Sequence, residues 1–162
     1  MRAETMFKEY WNMKRELSVL EIQLMQFEGV KGDELIETLC FSHPVDDVRV
    51  QTSGTSDKTA KIALNYKEIS KKLNSDWFDY LIDRKTKVVE EISFFEYSIR
   101  FLKGNLETFV TDLVLEEMKW EKLMDKYNVS HSMVAKYRQK AIKELDKMYE
   151  LRDLQTYTYM LS

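Results

Sequence analysis

Apolar side chains recur along most of this chain at intervals of three and four residues. Met6, Tyr10, Met13, Leu17, Leu20, Leu24 and Phe27 are spaced in steps of 4, 3, 4, 3, 4, 3. That heptad rhythm predicts a helix over 3–27, packed along its length against another helix. Charges alternate on its other faces (Lys8, Glu9, Lys14, Arg15, Glu16, Glu21), and Gly29 and Gly32 end it. From about Lys58 the pattern turns helical again, with a stripe of Ala60, Ala63, Leu64, Ile69 and Leu73. Asn74-Ser75-Asp76 is expected to break that helix and cap the next. Trp77, Leu81, Val88, Ile92, Phe95, Ile99 and Leu102 then form a second seam over 76–102, suited to lie antiparallel to 3–27. Phe78, Ile82, Val89, Phe94, Tyr97 and Phe101 widen its apolar surface, so contact with more than one neighbour is expected. The two seams fit equally a pairing within one chain and a pairing between chains.

Residues 29–57 break the rhythm and read as an irregular loop. They hold the only proline, Pro44, which is hostile to a continuing helix. They end in the polar, Ser-Gly-punctuated run from Asp47 to Asp57. Arg49 brings charge there, but one glycine is not a phosphate-cradling loop. Glu37, His43, Asp46 and Asp47 lie near each other, yet one His among carboxylates beside a proline reads as a loop, not a metal site. Cys40, between Leu39 and Phe41, reads as a small apolar filler.

After Gly104-Asn105 a helix is expected over Leu106–Glu117, with Phe109, Leu113 and Val114 as support for the helices after it. Lys119 to Lys147, KWEKLMDKYNVSHSMVAKYRQKAIKELDK, splits into two helical runs at Tyr127-Asn128-Val129-Ser130. Leu123, Met124 and Tyr127 face inward from the first run, Val129 fills the turn, and Val134 and Tyr137 pin the second. Such a set holds two short helices roughly perpendicular, as in a helix-turn-helix. Asn128 stands where the chain must reverse and tolerates a left-handed backbone. Ser130 or Ser132 is expected to cap the second helix. That helix runs on through Ala141, Leu145, Met148 and Leu151, and the apolar tail Tyr157-Thr158-Tyr159-Met160-Leu161 is expected to pack, on this chain or a second subunit.

The outward positions of the second helix are His131, Ser132, Ala135, Lys136, Gln139, Lys140 and Lys143, with no acid before Glu144. A helix entering a DNA groove must avoid carboxylates and offer groups that read base edges. Lys119–Lys147 holds eight basic and four acidic residues, a net +4, which leaves −7 elsewhere to give the formal −3. A basic module on an acidic chain points to nucleic acid.

Composition narrows the rest. The 162 residues are 44% apolar and 33% charged, with 4 Gly and 1 Pro, which argues for long helices and an all-α fold. No apolar run approaches the ~20 residues of a membrane span, and Glu4 interrupts any leader-like core. A lone Cys permits no internal disulfide, and two distant His residues assemble no metal site of familiar spacing; a reducing cytoplasm and no cofactor are expected. Glu90-Glu91 and Glu116-Glu117 read as solvated surface pairs, not as general acid and base, so no enzyme is expected. Trp11, Trp77 and Trp120 read as core, with Trp120 bracing the two motif helices. Met6, Met13, Met25, Met118, Met124 and Met133 read as adaptable core, Met133 partly exposed and able to touch a thymine methyl.

Phe109 to Leu145, FVTDLVLEEMKWEKLMDKYNVSHSMVAKYRQKAIKEL, resembles the sigma-70 region 4 helix-turn-helix of bacterial sigma factors. The likeness lies in a preceding helix, Glu116-Glu117 with Trp120, the Asn-Val-Ser turn at 128–130, and a basic helix ending in Ala141, Ile142 and Leu145. Asn128 replaces a common Gly and His131 a common Arg, whose bidentate fork neutral His lacks. A wider stretch, including Val50 to Ala60, is similar to phage late-gene regulators of the ArpU and RinA type. The resemblance implies an activator of phage or phage-like genes working with the host RNA polymerase.

These readings divide the chain into 1–103, a hairpin or coiled-coil-like helical region for oligomerisation or partner binding, and 104–162, a DNA-binding helix-turn-helix domain. The expected function is sequence-specific binding of double-stranded DNA in transcription regulation. His131, Ser132, Lys136 and Gln139 would sit in the major groove, with Lys126, Lys140 and Lys143 on phosphates. A homodimer or higher oligomer would supply two half-sites about 34 Å apart. Two alternatives share the same features: a small-terminase-like DNA-packaging subunit, which would form a large ring, and a helical adaptor that binds RNA polymerase without touching DNA.

Overall fold

A computed structural model describes residues 2–29, 31 and 57–161, with the side chains of 57–66 excepted. It has α1 (Arg2–Met25), α2 (Asp57–Ile99), α3 (Leu106–Val110) running into a π-helical turn (Thr111–Leu115), α4 (Trp120–Tyr127) and α5 (His131–Met160). No strand occurs among the described residues, so the fold is all-α as expected. The expectations for Glu37, Cys40, His43, Asp46, Asp47 and Arg49, for Gly32, and for the Ser-Gly run before Asp57 fall outside the described residues.

The chain forms two compact units, one of Met1–Val19 with Thr86–Ser162 and one of Leu20–Lys85. These bounds fall inside the two long helices.

In the Leu20–Lys85 unit, α1 and α2 run antiparallel. Glu21 pairs with Lys85 at 3.4 Å, and Phe27 meets Phe78 edge-on with ring centroids 5.1 Å apart. Asn74 approaches Gly29 so closely that a Cβ there would stand 2.7 Å from the Asn74 carboxamide nitrogen. Gly29 also has φ +79°, and this backbone conformation is what favours glycine, since the end of the Asn74 side chain could shift aside. The expected break at Asn74-Ser75-Asp76 is absent, and α2 passes straight through it. Without Gly or Pro, those three residues cost only tenths of a kcal/mol each in a helix. Leu20 and Leu81 are buried. Trp77 is not core as expected: it is 46% exposed and stacks on Tyr80 with planes 20° apart. Two helices bury one stripe each, and residues beside the stripe stay at the surface. Met25, expected in the core, is exposed at the end of α1 for the same reason.

In the other unit, Met6 and Tyr10 of α1 are buried, and Phe7 and Tyr10 lie 5.9 and 5.8 Å from the Phe95 ring. Much of the heptad seams is therefore covered within one chain, by Phe95 here and by Leu20, Leu81 and the Phe27–Phe78 contact in the second unit, although Trp77 stays exposed. α5 runs antiparallel to α2 and lies across the first turn of α1. Glu4, the Ala3 amide and Arg2 meet Arg138, Asp146 and Asp153 in turn. Glu91 and Phe94 meet Arg152 and Tyr149. Phe94 thus confirms that α2 touches a second neighbour, while Tyr97 and Phe101 remain exposed. Val88, Ile92, Ile99, Val134, Ala141, Leu145 and Tyr149 complete this core. Trp11 sits at its edge, its indole N–H donating to the Val114 carbonyl at 2.9 Å. In the apolar tail Tyr157, Met160 and Leu161 are at least 62% exposed, and Leu151 and Leu154 before it are 60% exposed.

Candidate nucleic-acid interface

Leu123 and Val134, each fully buried, join α4 to α5 from inside. Phe109 packs beneath them, edge-on to Tyr127 and Tyr137 at 5.8 and 5.6 Å. Asn128 ends α4 in the left-handed region (φ 51°, ψ 50°), and the Val129 amide donates back to the Met124 carbonyl at 3.0 Å. The chain reverses in three residues, as its sequence implies, and α5 begins at His131. Trp120 reaches across to His131, ring centroids 4.6 Å apart, and so does brace the two helices, although it is only half-buried.

One polar anchor carries no signal in the sequence. Asp112, in the π-helical turn, is 6% exposed and accepts from the Tyr127 hydroxyl and from the Lys126 ammonium at 2.6 Å. Burial, and then Asp112's hydrogen bond and charge, push the Tyr127 hydroxyl's ionisation upward. A second left-handed residue, Glu117 (φ 50°), comes just after the turn, with the Met118 amide donating to the Asp112 carbonyl.

The residues singled out in the sequence divide into two groups. Lys126 is held by Asp112 and lies over the Tyr127 ring, so its charge is already answered. His131 is exposed but rests on Trp120. Ser130 occupies the cap position of α5, yet neither serine caps it: their hydroxyls bond each other at 3.0 Å. The first turn of α5 therefore has no side-chain cap and no acid.

Lys136, Gln139, Lys140 and Lys143 are all exposed along α5, and none has an ion-pair partner among the described residues. The spacing 132, 136, 139, 143 places Ser132, Lys136, Gln139 and Lys143 on one face of the helix. Val134, Ala141 and Leu145 occupy the opposite, buried face. Further along, Lys147 binds Glu144 at 2.8 Å. That hydrogen bond and the Lys147 charge hold the Glu144 carboxyl below its ordinary range, with Lys103 and Lys140 adding to the effect. Lys103, on the connection between α2 and α3, was not singled out from the sequence.

No group of His, Cys, Asp and Glu able to hold a metal occurs among the described residues. No helix among them is long and apolar enough to cross a membrane. Comparison with protein-family models, curated proteins and solved structures found no match.

Proposed function

We propose that this chain is a sequence-specific double-stranded DNA-binding regulator of transcription. The observation that carries the reading is the contrast between answered and unanswered cations. Elsewhere in the same unit Lys8, Lys14, Arg138 and Arg152 pair with Glu4, Glu96, Glu4 and Glu91. On the outer face of α5 Lys136, Lys140 and Lys143 form no ion pair among the described residues, Glu144 being bound by Lys147, and they are interleaved with Ser132 and Gln139. Free lysines supply phosphate contacts, and Gln and Ser supply base-edge hydrogen bonds. The uncapped N-terminus of α5 presents amide N–H groups and a positive dipole end to the same partner.

The likeness to sigma-70 region 4 and to phage late-gene regulators supports the narrower reading, an activator of phage or phage-like genes acting with host RNA polymerase in the bacterial cytoplasm. A single motif binds weakly, so a second copy is part of the proposal. Because much of the heptad seams is covered within the chain, that copy would use another surface, such as the exposed Leu151, Leu154, Tyr157 and Leu161 of α5. Sedimentation should give a dimer at micromolar concentration. A large closed ring would favour the packaging-subunit reading instead.

Selection from random duplex DNA at about 150 mM salt tests the core of the reading. Wild type should enrich a defined motif that a Lys136→Ala/Gln139→Ala variant loses. Absence of enrichment would leave the adaptor reading in its place.

A further inference from the structure

The outer face of α5 does not end on α5. A cleft of about 490 Å³ is bounded by Lys103 on one side and by Lys140, Glu144 and Lys147 on the other. Its floor includes Leu102, Leu106 and Met148. Lys103 and Lys140 also border a second cleft of about 380 Å³ beside Phe109, Tyr127 and Tyr137. The two side chains therefore line both hollows. Leu102 and Leu106, each 7% exposed, anchor the connection on both sides of Lys103. Gly104, at φ +63° with open space where a Cβ would be, makes the bend that presents it.

Lys103 and Lys140 form no ion pair among the described residues, but both lie within electrostatic reach of Glu144, whose close partner is Lys147 at 2.8 Å, so three ammonium groups surround one carboxylate at this cleft. Three ammonium groups around one carboxylate leave the rim of the cleft net positive, which favours a further anion. Position along the helix supplies that anion. His131 to Lys140 spans nine residues, about 13.5 Å at a rise of roughly 1.5 Å per residue. The DNA major groove is about 12 Å wide. A helix whose first turn enters the groove thus brings Lys140 to the phosphate rim.

Building on the DNA-binding reading, we infer that Lys103 and Lys140 clamp one backbone phosphate at the edge of the major groove. Lys103 is then a positioning contact outside the recognition helix. It fixes how deeply α5 enters and carries no sequence information.

The test is the salt dependence of binding to the selected duplex, and to a scrambled one, by the full chain. Lys103→Ala should lower the slope of log K against log[salt] by about 0.9 and weaken binding roughly five-fold at ~150 mM salt, equally on both duplexes. Lys103→Ala/Lys140→Ala should lose less than the product of the two single effects, since both hold the same phosphate. Lys8→Ala, which removes a cation already paired with Glu4, should keep the wild-type slope. A wild-type slope for Lys103→Ala, with Lys136→Ala/Gln139→Ala still losing selectivity, would overturn the clamp and leave the DNA reading standing. Absence of salt-dependent binding by wild type would overturn both.

Discussion

Three of the four cations of α1 pair with carboxylates, whereas Lys136, Lys140 and Lys143 of α5 form no ion pair among the described residues. On α1, Lys14 bonds Glu96 at 3.0 Å, and Glu96 also accepts from the Tyr10 hydroxyl at 2.6 Å. The charge there orients one helix on another. On α5, Lys136, Lys140 and Lys143 project from a helix whose opposite side is buried through Val134, Ala141 and Leu145. The buried side fixes the helix, and the other side is the one proposed to meet DNA. Sequence composition treats both sets as charged surface. Their difference lies in whether a carboxylate stands across from them, which only the packing decides.

The sharpest way to break the contrast is to remove what fixes α5. Leu123→Ala deletes a fully buried side chain between α4 and α5 and should cost about 2–5 kcal/mol. Chemical denaturation should show that loss, and DNA binding should fall with it, although no free lysine has changed. A loss under about 1 kcal/mol would mean that the two helices are held elsewhere.

Asp112→Asn moves Lys126 from the first class of cation to the second. It weakens two charge-assisted bonds, from Lys126 and Tyr127, and should cost about 1–3 kcal/mol. At the same time the released ammonium should steepen the salt dependence of DNA binding. An unchanged slope would show that Lys126 lies outside the DNA footprint.

A smaller effect is expected at the turn. Asn128→Ala should cost about 1 kcal/mol in the left-handed conformation, whereas Asn128→Gly should be neutral or stabilising. Thermal melts of both variants measure it, and equal melting points would count against a fixed turn.

The smallest effect concerns acid. Burial opposes ionisation of Glu96, but the Tyr10 and Lys14 hydrogen bonds and the charges of Lys14 and Arg100 outweigh it, so its carboxyl lies below its ordinary range. A lowered carboxylate stabilises the fold above its unfolded pKa and loses that contribution as pH falls through the folded one. Glu96→Gln should therefore flatten the decline of stability below about pH 4.5. It should leave DNA binding at neutral pH unaltered, since Glu96 faces α1 rather than α5's outer surface.

Much of this architecture was legible because it obeys local rules. Heptad spacing located both seams, and Tyr10, Leu20, Val88, Ile92 and Phe95 are buried where it placed them. Asn128 and Val129 announced the reversal through backbone chemistry alone. What stayed hidden depends on partners distant in sequence. Asp112 lies in a segment that reads as ordinary amphipathic helix, and nothing local marks it as the acceptor for Lys126 and Tyr127. Asn74 looked like a helix breaker, yet α2 continues through it and its carboxamide lies against Gly29. Ser130 and Ser132 had cap chemistry, but each found the other's hydroxyl nearer than a backbone amide. Lys103 carried no signal because Lys140, whose two clefts it shares, stands thirty-seven positions away in sequence.

The central claim is that unanswered cations, not cations in general, make the partner surface. Amide NMR of the isotope-labelled full chain, titrated with the selected duplex, tests it most directly. The account predicts chemical-shift changes concentrated over His131–Lys143 and at Lys103, with Lys8, Lys14 and Glu96 unmoved. Changes centred on the paired cations of α1, or none on the outer face of α5, would contradict it.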